Sequence, residues 1–553
     1  MPRKLLDRLD EWKSRFGPAG DGQLERLLSR IARHRVRDPQ SLIRLHETLL
    51  FLRAYPPSEE VARLADQILF SFADRIGDDL EPFEAPEVSG IGGTSLTAVF
   101  SYEVARRLAA RYPQSVEIAW DRYDEADRMG NVVCRFLPML KEDYPVEAHV
   151  PFQEWIARAH RSGVTDLEWL LQQLATLPVE MRALLFESMQ APLTWRMGAL
   201  RVARSRLRLP VRSLYLHREP LLRRGDVSLE RELDAAPLPI RRLGRPEARR
   251  ILDVILDTSA MRYRELYGFS HPEEARVFHA AAGRGVDIYF FGVPPEWRLP
   301  LRAYHGGMFF KNGVPAGYVE LLSLFERAEV GFNLYYTFRE GESAWIYARL
   351  LRLFRQVLGV TCFSVDPYQI GHENPEAVDS GAFWFYRKLG FRATNPDVAR
   401  LVEHEEARMR QTPGYRSSRR TLERLANGYI LYEMRGTESG DWDHFRIRAL
   451  AQKLQSDAAA LRMPGPVARA KKLGAESQYL RLMQRDTRLR AAFLKWGSAR
   501  QGQGVLIKPK PSVDPDDLLS REQSALVKKA ESERREGKYA TLARLHQMLD
   551  RKR

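Results

Sequence analysis

Residues 335–345 read Tyr-Tyr-Thr-Phe-Arg-Glu-Gly-Glu-Ser-Ala-Trp, and this stretch decides the fold. Alternating apolar residues before the glycine predict a strand over Val330–Phe338. The periodicity after it predicts a helix over Ser343–Leu358 with Ser343 as its N-cap. A strand that turns tightly into a helix leaves free backbone N–H groups at the helix N-terminus, where an anion binds well. The sequence therefore predicts an anion site in this loop, with a charge-assisted contact from Arg339.

The surrounding residues alternate helix and strand. The hairpin signal Lys311-Asn-Gly313 joins two predicted strands, and further helices are expected over Glu247–Leu256 and Pro272–Ala282. The other predicted strands are Asp287–Gly292, Tyr304–Phe310, Ala316–Phe325 and Val360–Val365. This pattern predicts an α+β unit in which antiparallel strands precede a strand–helix–strand crossover.

A second segment, Asp379–Phe391, begins about forty residues after the first. It predicts a helix over Ser380–Leu389 that Gly390 ends, followed by another strand. A tyrosine near the middle of this helix, Tyr386, could reach a ligand that lies between the two crossover strands.

Together these residues resemble a GNAT (GCN5-related N-acetyltransferase) domain over about residues 285–435. The run Tyr386-Arg-Lys-Leu-Gly-Phe391 is similar to that family's helix-to-strand signature. Asp379, Ala382 and Tyr386 fall where the family usually places Asn, Ala and Tyr. The resemblance covers about a quarter of the chain.

The family's pyrophosphate loop usually reads Arg/Gln-x-x-Gly-x-Gly/Ala. Here the corresponding run is Phe338-Arg-Glu-Gly-Glu-Ser343. Gly341 matches, Phe338 and Ser343 depart, and Arg339 is shifted by one position.

The resemblance implies an acyl-CoA-dependent N-acyltransferase that uses acetyl-CoA, or another acyl-CoA, as co-substrate and an amine as acceptor. The amine would attack the thioester directly, with no covalent enzyme intermediate. The pantetheine arm would pair with the backbone of Tyr336, Thr337 and Phe338. The pyrophosphate would bind the N–H groups of the loop made by Arg339, Gly341, Glu342, Ser343 and Ala344.

The resemblance also implies catalytic roles. Tyr386 is the candidate acid, and its alternative role is that of a core aromatic. The base is Glu329, Glu320 or a water held by Asn333, although the preferred interpretation of each glutamate taken singly is an ordinary exposed strand residue. The loop Asp366–Pro375 would shape the acceptor pocket through Tyr368, Gln369 or Asn374, or else be a plain surface loop.

Composition bounds the remaining possibilities. The 553 residues carry a net charge of +15 and two cysteines, Cys134 and Cys362. No apolar run approaches the roughly 18 residues that span a bilayer, and the N-terminus lacks a secretory signal. We therefore expect a cytoplasmic protein of several domains with no metal site. The positive charge favours either a polyanionic partner or nothing beyond solvated basic faces.

The flanking regions are mainly helical. Residues 1–80 predict a helical bundle with helix starts at Asp38-Pro39 and Ser58. Residues 81–195 predict a mainly helical α+β region, including a helix over Leu96–Arg111. Residues 196–246 predict a basic, arginine-rich linker, 247–435 the GNAT-like domain, and 436–553 a basic helical C-terminal region.

Two other functions stay open. The GNAT-like fold would be a non-catalytic scaffold whose basic helical regions bind nucleic acid or an acidic protein. A nucleotide-binding enzyme built on Gly90–Ser95 is less favoured, because that run lacks a P-loop lysine. A turn with Thr94 or Ser95 as the following helix cap is the preferred interpretation.

Overall fold

The structure is a computed structural model that describes residues 2–34, 36–137, 150–262, 267–294, 297, 299, 302–436 and 442. All of these except Trp442 belong to one compact unit. They form 18 α-helices and two sheets, so the architecture is mixed α and β. The predicted helical region over 436–553 lies almost wholly outside the described residues.

Four helices begin the chain: α1 (Pro2–Trp12), α2 (Pro18–Arg33), α3 (Pro39–Ala54) and α4 (Glu59–Phe70). The predicted helix starts are confirmed. Asp38 accepts a 3.0 Å hydrogen bond from the Ser41 N–H, and Ser58 accepts one of 3.2 Å from the Val61 N–H. Leucines of all four helices enter the largest hydrophobic core, which also contains one face of the large sheet.

A second core belongs to a small sheet and the helices around it. The elements are β1 (Ser95–Val99), α5 (Tyr102–Arg111), β2 (Val116–Ile118), α6 (Ala126–Val133), α7 (Phe152–Ala159), α8 (Asp166–Ala175), α9 (Val179–Met189) and β3 (Pro192–Arg196). β3 lies between β1 and β2 and is antiparallel to both.

The predicted helix over Leu96–Arg111 is wrong in its first half. β1 takes Ser95–Val99, and α5 starts after Ser101, which caps it through the Val104 N–H. Thr94 therefore caps no helix, and its hydroxyl donates to the Ile91 carbonyl. β-Branched Thr97 and Val99 fit a strand that β3 pairs, which local periodicity did not reveal.

The arginine-rich segment contains little regular structure. Its elements are α10 (Leu229–Asp234) and β4 (Ile240–Arg242). Three of its polar side chains, Arg204, Ser205 and His217, are nonetheless buried. This segment therefore contributes to the interior as well as to the surface.

The large sheet has nine strands in the order β11-β12-β10-β9-β8-β7-β6-β5-β4. Its helices and remaining strands are α11 (Arg245–Met261), α12 (Tyr267–Ser270), β5 (Val277–Gly283), β6 (Val286–Gly292), β7 (Ala303–Lys311), β8 (Val314–Leu324), β9 (Arg327–Leu334), α13 (Ser343–Leu358), β10 (Cys362–Val365), α14 (Pro367–Ile370), α15 (Pro375–Asp379), α16 (Ala382–Arg387), β11 (Arg392–Ala393), α17 (Pro396–Gln411), α18 (Arg419–Leu425) and β12 (Ile430–Glu433). Strands β4 to β9 are antiparallel, and β10 is parallel to β9 across the α13 crossover.

Most predicted elements of this region are confirmed, and α13 has the predicted bounds. The hairpin turn is also confirmed, since Asn312 and Gly313 have φ values of 47° and 78°, which a type I′ turn requires. The predicted helix over Pro272–Ala282 is wrong. Val277–Gly283 pairs with strands on both sides as β5, and that pairing outweighs its local helical pattern.

Two details near α13 also differ from the prediction. β9 ends at Leu334, and Tyr336–Phe338 form a 3-10 turn instead of continuing the strand. Glu342, not Ser343, occupies the N-cap position, and its side chain makes no capping hydrogen bond. α3 packs against this turn.

Candidate functional site

β9 extends beyond the end of β10, which stops at Val365. Parallel pairing joins Cys362–Ser364 only to Arg327–Glu329, while β9 continues to Leu334 with β8 on its other side. The side chains of Phe332, Tyr336 and Phe385 are half-buried beside the unpaired half of β9. The part of β9 after Glu329, which carries several predicted site residues, therefore runs past the end of β10.

Glu320 lies on β8 between two glycines. It is opposite Gly306 of β7 and Gly331 of β9, on the face that packs against α11 and α12. A methyl group on Gly331 would lie 3.7 Å from the Glu320 Cβ and 4.0 Å from the Gln369 Nε2, both ordinary contacts. Glu320 and Gln369 therefore both border Gly331.

Local interactions orient the Glu320 carboxylate and shift its pKa. It accepts a 2.6 Å hydrogen bond from the Tyr304 hydroxyl. Burial raises the pKa of Glu320, and the Tyr304 hydrogen bond partly offsets that rise. A carboxyl with a raised pKa binds a proton more strongly than an exposed one, which makes it a candidate general base.

Glu329 and Asn333 share this face, because they are opposite Leu322 and Tyr318 of β8. The Glu329 carboxylate lies 3.4 Å from an Arg302 guanidinium nitrogen. The Asn333 amide donates a 3.4 Å hydrogen bond to the Tyr318 hydroxyl. The structure thus brings the two candidate glutamates and Asn333 together on one face.

The three candidate residues of the loop after β10 differ in where their side chains lie. Tyr368 is exposed. The Asn374 side chain accepts from the Ala377 N–H at 3.2 Å and donates to the Tyr368 carbonyl at 3.0 Å, so it fixes the loop itself. Of the three loop residues considered for a pocket, Gln369 is the one whose side chain lies beside Gly331.

Tyr386 lies on the opposite side of the sheet. Its ring packs against Tyr347 of α13, with Phe385 and Phe391 on its other sides. Burial raises its pKa. Tyr347 in turn packs on Phe332, which points away from Glu320, so Tyr386 and Glu320 occupy different faces.

Residues 339–344 form a loop that is called the 339–344 loop below. Several of its backbone N–H groups donate hydrogen bonds to other groups of the protein. Arg339 donates to the Tyr336 carbonyl at 3.2 Å and Gly341 to the Phe338 carbonyl at 2.9 Å. Glu342 donates to the Tyr55 hydroxyl at 3.4 Å. Among the predicted pantetheine contacts, Phe338 also donates its N–H to the Tyr335 carbonyl, and Thr337 and Phe338 are buried.

Glu342 is fully buried beneath this loop. Its carboxylate accepts from the Arg284 Nε at 2.9 Å and from the Leu222 N–H at 3.2 Å, and Lys311 Nζ lies 3.3 Å away. Burial opposes ionisation, but Arg284 and Lys311 hold the pKa of Glu342 below its ordinary value. Burial lowers the pKa of Lys311 to about 7. The anion beside the N-terminus of α13 is thus the chain's own carboxylate.

A CoA diphosphate does not fit the 339–344 loop in this arrangement. Three of its N–H groups are bonded, and a Cβ on Gly341 would already lie 2.5 Å from the Tyr55 hydroxyl. The room that a glycine normally leaves for a phosphate is filled by Tyr55 of α3.

Sequence reasoning missed a second buried network next to this loop. The Glu47 carboxylate of α3 accepts two hydrogen bonds from Arg204, at 2.8 and 2.9 Å, and others from His46 and the Thr337 hydroxyl. Arg204 and His46 hold the pKa of Glu47 at about 2, although burial opposes ionisation. The only sequence signal was a His-Glu pair inside the leucine-rich run of α3.

Comparison with known protein families, with curated proteins and with solved structures gave no significant match. Within the described ranges, no group of three His, Cys, Asp or Glu side chains is placed to hold a metal ion. No helix in that part of the chain is both long and apolar enough to cross a membrane.

Proposed function

We propose that this chain is an N-acyltransferase of GNAT-like fold that moves an acyl group from a thioester to an amine. The observation that carries the proposal is Glu320, which lies opposite Gly306 and Gly331 and next to the part of β9 that runs past the end of β10. The β9–α13–β10 crossover and the neighbouring β12 and β11 support the GNAT-like part of the proposal.

In the proposed reaction the amine nitrogen attacks the acyl carbonyl carbon, and Glu320 accepts the proton that the nitrogen loses. The C–N bond forms, the C–S bond breaks, and the leaving thiolate takes a proton from water, while Glu320 returns its proton to the solvent. Tyr304 orients the Glu320 carboxylate through its 2.6 Å hydrogen bond. The raised pKa makes Glu320 a stronger base than an exposed glutamate.

Glu329 and Asn333 lie two residues to either side of Gly331 on the same face of β9. We assign them to the acceptor side, where the Glu329 carboxylate would attract a protonated amine. Gln369, in the loop after β10, lies beside Gly331. Tyr386 is buried on the other face and supports the aromatic core there.

The test measures thiol release from an acetyl thioester in the presence of a panel of primary amines. We expect amine-dependent release, and a loss of about 100-fold or more in kcat/KM for Glu320→Gln. The exposed Glu403→Gln on α17 is the matched control and should keep wild-type activity. The proposal would be overturned if the wild type released thiol no faster with an amine than without one. Full activity of Glu320→Gln would also overturn it.

A second candidate function is a non-catalytic scaffold that binds nucleic acid or an acidic protein. Exposed arginines on α17, α18 and the turn between them favour it: Arg410, Arg416, Arg420 and Arg424. Affinity for a DNA or RNA oligonucleotide should then fall steeply with salt and fall further in Arg416→Glu/Arg420→Glu. A flat salt response would remove nucleic acid as the partner.

A further inference from the structure

The 339–344 loop has a Tyr55 hydroxyl where a ligand phosphate would otherwise bind. Tyr55 is completely buried, and its ring stacks on Phe51 at 4.9 Å with 19° between the planes. Lys311 Nζ lies 4.6 Å from the centre of the Tyr55 ring on the sheet side. These contacts fix the ring, so its hydroxyl remains over Gly341.

The charge beside the loop is also already balanced. Glu342 forms ion pairs with Arg284 and Lys311 near the N-terminus of α13 and so neutralises both cations. On the outer side, Glu340 pairs with Lys13 at 2.9 Å and Glu376 pairs with Arg339. A diphosphate would therefore meet three carboxylates whose cationic partners are already engaged.

The side chains beside the second half of β9 are aromatic and uncharged. Phe332 and Phe385 stand nearly parallel, with 6.5 Å between ring centres and 6° between planes, and Tyr336 is half-buried nearby. A narrow, uncharged chain with amide groups is suited to pair with the backbone of β9 beyond the end of β10 and to lie against these rings. A pantetheine arm has this chemistry, and a nucleotide diphosphate does not.

We propose that Tyr55 and Glu342 are specificity-determining residues that exclude the nucleotide diphosphate of CoA, so that the donor is a pantetheine-type acyl thioester without it. This inference rests on the proposed acyl transfer and names the donor class for that site. Two sources share this chemistry: a small pantetheine thioester and a phosphopantetheine arm attached to a carrier protein.

The experiment titrates the full chain with S-acetylpantetheine, acetyl-CoA and an acetylated acyl carrier protein, using calorimetry. We expect S-acetylpantetheine to bind at least as tightly as acetyl-CoA. A carrier protein that binds tenfold or more tightly than S-acetylpantetheine identifies the carrier as the source, and equal affinities identify the small thioester. Acetyl-CoA binding tenfold or more tightly than S-acetylpantetheine overturns the inference but leaves the acyl transfer standing. No binding of any thioester overturns the proposed function itself.

A conservative variant gives a second readout. Tyr55→Phe keeps the buried ring but removes the hydroxyl that accepts the Glu342 N–H. Affinity for acetyl-CoA should rise by about threefold or more, while affinity for S-acetylpantetheine stays within twofold. Tyr102→Phe, a buried tyrosine of the second core, is the control and should change neither affinity. Unchanged acetyl-CoA affinity in Tyr55→Phe would remove Tyr55 as a determinant.

Discussion

Tyr304 and Glu320 form a 2.6 Å hydrogen bond across neighbouring strands of the large sheet, with the tyrosine hydroxyl as donor. Burial and the nearby Glu320 raise the pKa of Tyr304, so it stays protonated and remains a donor. The same burial raises the pKa of Glu320. The hydrogen bond therefore orients the Glu320 carboxylate, and ionising this carboxyl costs more free energy in the folded state than in the unfolded state.

The first prediction concerns Glu320→Gln and the pH dependence of stability. The Glu320 pKa is higher in the folded state than the ordinary 4.5, so the unfolded chain loses this proton first. Wild-type stability therefore falls as pH rises through the unfolded pKa toward the folded one. Urea unfolding from pH 4 to 7 should show Glu320→Gln gaining relative stability with rising pH. A constant difference across this range would contradict the raised pKa.

The second prediction is that Gly341→Ala destabilises the protein without any ligand. The added Cβ would lie 2.5 Å from the Tyr55 hydroxyl and 2.9 Å from the Phe338 carbonyl oxygen. Overpacking of this kind costs about 1–3 kcal/mol in the free energy of unfolding. The matched control is Gly22→Ala in α2, where a Cβ meets no atom within 4 Å. Its expected effect is a gain of up to about 1 kcal/mol, and an equal effect of both changes would rule out the close contact.

Local sequence signals found the parts of the fold that local physics determines. α13 has the predicted bounds because its apolar stripe is continuous and Gly359, at φ 70°, ends it. The Asp38 and Ser58 caps and the Asn312-Gly313 turn follow from side-chain chemistry within a few residues.

What the sequence did not reveal depends on distant partners. β5 and β1 form strands because neighbouring strands pair with them, although their sequences also fit helices. The Tyr55 hydroxyl accepts a hydrogen bond from the Glu342 N–H, although the two residues are 287 positions apart in the sequence. A glycine in a loop signals close approach by something, but the sequence alone did not distinguish a phosphate from a tyrosine of the same chain.

The third prediction compares the members of the buried ion cluster. Glu342→Gln leaves Arg284 and Lys311 close together with no carboxylate, and should cost about 3–5 kcal/mol of unfolding free energy. Lys311→Met should cost less, because Arg284 still bonds Glu342 and burial already lowers the pKa of Lys311 to about 7. Urea unfolding of both variants provides the measurement.

Two further variants make the comparison diagnostic. In the double variant Glu342→Gln/Lys311→Met, the loss should be smaller than the sum of the single losses, because removing Lys311 relieves the like-charge contact. Glu376→Gln breaks a pair with Arg339 in which both side chains are largely exposed, and should cost at most about 1 kcal/mol. Additive losses, or a Glu376 effect as large as that of Glu342, would contradict the buried cluster.

The last prediction concerns His217, which is buried among the rings of Phe16, Tyr55 and Tyr215. Neither of its ring nitrogens has a hydrogen-bond partner among the described residues. Burial, with Lys311 nearby, lowers the pKa of His217 to about 3, so it folds neutral while the unfolded chain takes up a proton below pH 6.5. His217 thus contributes stability above pH 6.5 that is lost as pH falls toward 3.

His217→Phe should make the fall in unfolding free energy between pH 6.5 and 5 shallower by up to about 1.4 kcal/mol per pH unit. Part of the fall should remain, because burial also lowers the pKa of His46 to about 4. The exposed His404→Gln is the control for loss of a histidine, and an unchanged slope in His217→Phe would show that His217 takes up its proton in the folded state.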